Sequence, residues 1–134
     1  MRLVVKNSQV ITPIRVIKNS GVIIEKDKIT SVFTGDGLLK KCRDKLIDAR
    51  GNYISPGFMD IHTHGGGGYD FMDRDVKSTE EAFKFHMKYG TTIIVPTTTA
   101  GPMEELFTVL DNFKQVKAEI KDGPNILGLH LSPE

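Results

Sequence analysis

The residues of this 134-residue chain best suited to chemistry are His62 and His64. They lie in the stretch Ser55-Pro56-Gly57-Phe58-Met59-Asp60-Ile61-His62-Thr63-His64-Gly65-Gly66-Gly67-Gly68-Tyr69-Asp70. Residues 58–61 are a short apolar run that reads as a buried strand. Alternate residues of a strand point to one face, so His62 and His64 project together. Two imidazoles on one side can chelate a single divalent ion. The four glycines that follow permit positive φ and let the backbone approach a metal or ligand closely. A His-x-His pair alone is a weak signal, because paired histidines also occur on ordinary surfaces. Its setting sharpens it: the pair ends an apolar strand, after Asp60 and before a glycine loop, and parallel α/β barrels carry their active sites at that end.

Other candidates carry less. Asp60 shares the His62 face, and two readings stay open: it orients a ligand, or its carboxylate is satisfied by backbone amides. His130 is expected to pack, or to support a ligand without binding the ion. His86 falls mid-helix and is expected half-buried, far from any strand end. Asp70 and Asp73 lie beyond the glycines, near the mouth of the site, with no catalytic role assigned. The basic run Lys40-Lys41-Cys42-Arg43 could attract phosphate, but a solvated face explains it as well.

The elements that must position these residues change character along the chain. Residues 1–52 read as a β-rich module, a meander or half of a small sandwich. Leu3-Val4-Val5 and Gln9-Val10-Ile11 are split by the turn signal Asn7-Ser8. Residues 14–17 form another strand, and Asn19-Ser20-Gly21 reads as a turn before Val22-Ile23-Ile24. A turn at residues 25–28 leads to an alternating strand at 29–33, and Leu46-Ile47 is the last strand of the module.

Residues 53–134 alternate strands with helices. Ser78-Thr79-Glu80-Glu81 has the form of a capping box and predicts a helix over about 79–89, with Ala82, Phe83, Phe85, His86 and Tyr89 on its buried side and Gly90 terminating it. Thr91-Thr92-Ile93-Ile94-Val95-Pro96 is a β-branched strand. Pro102 suits the first turn of a second helix ending near Ile120, whose stripe Leu106, Leu110, Phe113, Val116 and Ile120, flanked by Phe107 and Val109, is core. Residues 126–131 are a third strand. Strands separated by helices imply right-handed crossovers and a parallel sheet. Three strands and two helices are too few to close an eight-stranded barrel.

Composition bounds the function classes. The chain is 39% apolar and 26% charged, as in a soluble globular protein. A net charge of +1 gives no field for nucleic acid or an anionic membrane. No segment has the length to span a bilayer, and the N-terminal residues lack the apolar core of a signal peptide. The single cysteine, Cys42, forms no internal disulfide, which fits a reducing cytoplasm.

Taken together, three segments carry a resemblance that covers essentially the whole chain. They are Pro56-Gly57-Phe58-Met59-Asp60-Ile61-His62-Thr63-His64-Gly65, Gly90-Thr91-Thr92 with Pro96-Thr97, and Leu127-Gly128-Leu129-His130-Leu131. The chain resembles the N-terminal third of the N-acetylglucosamine-6-phosphate deacetylase family, within the amidohydrolase superfamily. The first segment marks only the superfamily; its glycine-rich continuation and the Gly-Leu-His-Leu strand favour the deacetylases over dihydroorotase-like or hydantoinase-like cyclic amidases.

The resemblance implies an α/β protein: an N-terminal portion of a small β-sandwich, then the first units of a TIM-like (β/α)8 barrel. It implies hydrolysis of N-acetylglucosamine 6-phosphate to glucosamine 6-phosphate and acetate, with a divalent metal (Zn, Fe, Mn or Co) as cofactor and a sugar phosphate as the small-molecule partner. It also implies a homo-oligomer at full length. His62 and His64 match the family's first metal ligands. The aspartate that acts as base and acid, and two further histidines, are expected beyond Glu134, so no catalytic residue is assigned within the chain.

One departure stands out. The family reads His-Leu-Glu-Gly-Pro at the third strand, its glutamate a metal ligand; here Ser132 occupies that place, and Glu134 lies two residues on. The 134 residues alone are accordingly expected to be inactive, and a noncatalytic truncated product is the third reading.

Overall fold

The computed structural model describes residues 2–26, 28–35 and 45–132. Lys40, Lys41, Cys42, Arg43 and Glu134 lie outside them. The chain divides into two compact units, Met1–Pro56 and Gly57–Glu134.

The first unit is a five-stranded sheet. Strands β1 (Arg2–Ile11), β2 (Val16–Glu25) and β3 (Lys28–Thr34) form an antiparallel meander. The short β4 (Lys45–Asp48) and β5 (Tyr53–Ile54) then run parallel to β1, one beyond the other on the same edge. Asn7-Ser8 and Asn19-Ser20 are therefore not turns, as expected, but irregularities inside long strands. Both asparagines take positive φ, at 53° and 52°, a conformation Asn tolerates better than most residues. The serines behind them pair: the Ser8 hydroxyl donates to the Ser20 carbonyl at 2.7 Å, and the Ser20 hydroxyl accepts from the Val10 amide. Local polar bonds thus satisfy backbone groups where the ladder breaks, so the strands continue through. Val4, Ile23 and Phe33 form the small core. A Cβ on Gly21 would collide with the Phe33 ring and the Val5 carbonyl, so that position needs glycine.

The second unit is built on a parallel sheet in the order β10-β9-β6, with β6 at Phe58–Thr63, β9 at Thr91–Pro96 and β10 at Asn125–Ile126. A two-stranded hairpin, β7 (Gly65–Gly66) and β8 (Tyr69–Asp70), follows β6. Helix α1 (Val76–Lys88) links this hairpin to β9, and α2 (Met103–Glu119) links β9 to β10. The core joins Phe71, Ala82, Phe83, Ile94, Val109, Phe113, Val116 and Ile126, with Phe71 and Phe83 ring centroids 4.8 Å apart.

Several local expectations are corrected. Helix α1 starts earlier than expected because Asp75, not Ser78, is its N-cap: Asp75 Oδ1 accepts from the Ser78 amide at 2.9 Å and Oδ2 from the Ser78 hydroxyl at 2.7 Å. Gly90, at φ 96°, ends it as expected. Phe85 and Tyr89 are exposed, and the buried face is Thr79, Ala82 and Phe83. Helix α2 buries Val109, Asn112, Phe113 and Val116, while Phe107 faces outward. The third strand shrinks to two residues, and the chain then follows the edge of β9 through single bonds, Leu127 N–H to the Ile94 carbonyl and His130 N–H to the Pro96 carbonyl.

The run at residues 58–61 forms a strand but is not buried. Phe58 is 62% exposed and Ile61 65%, because β6 is the sheet's edge. Leu127 is exposed too, and Ile126 is buried. Among the described residues no helix is long and apolar enough to cross a membrane.

Candidate metal centre

The C-terminal ends of three adjacent chain segments meet where the histidines lie. Thr97, fully buried just past β9, links them. Its hydroxyl accepts from the Thr63 amide at 3.2 Å, and its own amide donates to the Thr63 carbonyl at 2.8 Å. On the other side, Thr97 bridges to His130, whose carbonyl accepts from the Thr98 amide at 3.0 Å. Parallel strands in register thus bring the ends of β6, β9 and the β10 segment to one edge.

His62 and His64 come together there, with ring centroids 5.2 Å apart and planes at 80°. The His62 ring is also 4.8 Å from that of His130, again edge to face. His130 was expected to pack or to support a ligand without binding the ion, and its ring lies against that of His62. The strand lapses after Ile126, so simple alternation does not govern its direction.

His64 Nδ1 is buried and has no hydrogen-bond partner. An unmet polar atom on the ring next to the His62 imidazole suits a metal or a water, since buried polar groups are ordinarily paired. Imidazole nitrogen is a donor that suits first-row ions such as zinc or iron. Among the described residues no three of His, Cys, Asp and Glu group tightly enough to hold an ion by themselves. The His62–His64 pair by itself is therefore not a complete ligand set.

Asp60 holds the backbone of His62. Its Oδ1 accepts from the His62 amide at 3.1 Å, and its Oδ2 lies 3.8 Å from Nδ1 of His86. His86 is thus at the strand end rather than far from it, and its Nε2 is 2.9 Å from the Gly65 carbonyl oxygen. Its place on the inner side of α1 was expected; its contact with the strand end was not. Asp70 and Asp73 make turn bonds instead: Asp70 Oδ1 accepts from the Met72 amide and Asp73 Oδ2 from the Asp70 amide. Ser132 is half-buried.

No protein-family profile matches the chain. Along 96% of its length it is 32% identical to an N-acetylglucosamine-6-phosphate deacetylase of Bacillus subtilis, over 33% of that protein. The chain is a relative of these deacetylases and matches their N-terminal portion. It spans about a third of the length of the curated relatives it matches.

Solved deacetylase structures agree. That from Pasteurella multocida superposes with a TM-score of 0.80 at 26% identity, covering 98% of this chain and 34% of that one. A Mycobacterium smegmatis variant in complex with N-acetyl-D-glucosamine-6-phosphate gives a TM-score of 0.71 at 26% identity, covering 99% and 32%. The mixed α/β structure thus resembles the N-terminal part of deacetylase-like amidohydrolases.

Proposed function

We propose that this chain forms the N-terminal part of a metal-dependent amidohydrolase that hydrolyses N-acetylglucosamine 6-phosphate to glucosamine 6-phosphate and acetate in the cytoplasm, as a homo-oligomer. The observation that carries the reading is the pairing of His62 and His64, 5.2 Å apart at the C-terminal end of a parallel strand. Similarity to relatives named for this reaction supports the choice of substrate.

In this reading β6, β9 and β10 are the first three strands of a (β/α)8 barrel. The exposed side chains of Phe58, Ile61 and Leu127 are apolar surface that further strands and helices would cover. His62 and His64 hold the divalent ion, which when bound polarises the amide carbonyl and lowers the pKa of water. Thr97 keeps the ends of β6 and β9 in register, so the two imidazoles stay at one height. His130 supports His62 through its ring. The general base is supplied from outside these residues.

The test is a chimera in which this chain replaces the matching third of the Bacillus subtilis relative. Acetate release from N-acetylglucosamine 6-phosphate is expected, and its loss in His62→Ala and His64→Ala. A folded chimera that hydrolyses the substrate equally well with both histidines removed would refute the assignment. The 134 residues alone are expected to release no acetate with Zn²⁺, Mn²⁺ or Fe²⁺.

A further inference from the structure

The glycine loop after the His-x-His pair is packed against a helix, and the contact centres on one side chain. Gly65 and Gly66 form β7, and the backbone of this hairpin lies directly on helix α1. A Cβ on Gly66 would stand 2.9 Å from the Phe85 ring and 3.0 Å from His86 Nε2. One on Gly67, at φ 68°, would stand 2.8 Å from Phe85. All three distances are shorter than ordinary van der Waals contact, so these glycines serve a close approach to α1.

What that approach achieves is a bond. The Gly65 carbonyl oxygen is within 2.9 Å of His86 Nε2 and accepts the Thr63 hydroxyl at 3.2 Å. A carbonyl only accepts, so His86 carries a proton on Nε2. The other ring nitrogen faces Asp60 Oδ2 at 3.8 Å, and the Asp60 carboxylate holds the His62 amide through Oδ1. The His86 side chain is only 14% exposed and its ring stacks over Phe71 at 6.4 Å. One imidazole, anchored in the core of α1, therefore contacts the residue after His64 and the carboxylate that fixes the backbone of His62.

We propose that His86 is the positioning residue for the His62–His64 pair. It clamps the Gly65 peptide from one side and faces Asp60 from the other, setting the backbone on which both imidazoles are carried. The proposal rests on the metal-site reading for its consequence, but the clamp itself is independent of any ion. The Phe71 amide reports the clamp directly, because it donates to the His64 carbonyl at 2.7 Å.

Two variants separate the bond from the packing. His86→Phe keeps an aromatic ring against Phe71 and removes the donor. His86→Gln places an amide N–H near the position of Nε2. In the purified full 134-residue chain, hydrogen exchange of the Phe71 amide is expected to quicken about fivefold or more in His86→Phe, the loss of one net hydrogen bond, and to stay near wild type in His86→Gln. The Phe83 amide, in the middle of α1, should exchange alike in all three proteins.

The second readout is the visible absorption of bound Co²⁺, whose apparent affinity should fall about tenfold in His86→Phe, the usual effect of removing a residue that supports a ligand. His86→Gln should restore most of it. Unchanged Phe71 exchange in His86→Phe, or a glutamine that rescues nothing, would overturn the proposal. A wild-type chain that binds no Co²⁺ while the exchange pattern holds would contradict the metal reading and leave the clamp standing.

Discussion

The rings of His62 and His130 meet edge to face, 4.8 Å apart, although 68 positions separate them in sequence and β9 lies between β6 and the segment that carries His130. Thr97 makes the meeting possible. It is bonded through side chain and backbone to Thr63 on one flank and bridges to His130 on the other.

Thr97→Val should therefore destabilise the second unit. It keeps the shape and leaves the Thr63 amide without its side-chain acceptor. The expected cost is about 1–3 kcal/mol, that of an unsatisfied buried donor, read as a lower urea midpoint at equal protein concentration. A midpoint equal to wild type would mean the hydroxyl contributes nothing.

Asp75 gives a pH-dependent effect with a definite sign. The Ser78 hydroxyl and then the Ser78 amide hold its carboxyl below the ordinary value of 3.8. A carboxylate with a depressed folded pKa stabilises the fold above its unfolded value, and that contribution is lost as pH falls through the folded value. Asp75→Asn, which still caps α1, should lower the urea midpoint at neutral pH, and its difference from wild type should shrink as pH drops below 3.8. A difference that is constant down through that range would exclude the carboxylate's charge as the cause.

Much of this was legible in the sequence. The β-branched run ending at Pro96 and the terminator Gly90 announced β9 and the end of α1 through backbone preferences that tertiary packing did not override. The Asn-Ser pairs misled because the chemistry that makes a turn, positive φ and a short polar side chain, also makes an irregularity within a strand. The capping-box pattern pointed to Ser78, but Asp75, three residues earlier, can also accept an amide proton and is the residue that caps α1. His86 and His130 were harder: their places depend on which helix lies over which strand end and on a strand that lapses early, neither of which is a periodic signal.

Ser132 offers a gain-of-function test. A hydroxyl is a poorer ligand for Zn²⁺ or Co²⁺ than a carboxylate. Ser132→Glu restores the residue type expected from the family pattern and should tighten Co²⁺ binding by about tenfold, by titration of the visible band. Equal or weaker binding would show that position 132 does not face the ion.

The exposed edges of the β10-β9-β6 sheet should make the chain self-associate. Phe58, Met59, Ile61 and Leu127 are all more than half exposed, and apolar surface on an unpaired edge strand promotes association. Light scattering should detect species larger than one chain, shifted toward monomer by the double change Ile61→Ser and Leu127→Ser. A monodisperse wild-type monomer with one cooperative unfolding transition would argue that the second unit is complete without further strands.

The central claim is that His62 and His64 hold a divalent ion together. Isothermal titration with Zn²⁺ of the chimera that carries this chain in place of the matching third of the Bacillus subtilis relative tests it most directly, using His62→Ala, His64→Ala and, as a distant control, Lys114→Ala. The account expects one ion per chain, bound at least about tenfold more weakly in each histidine variant and unchanged in the control. Binding that is equal in all four proteins, or absent from the wild type, would contradict it.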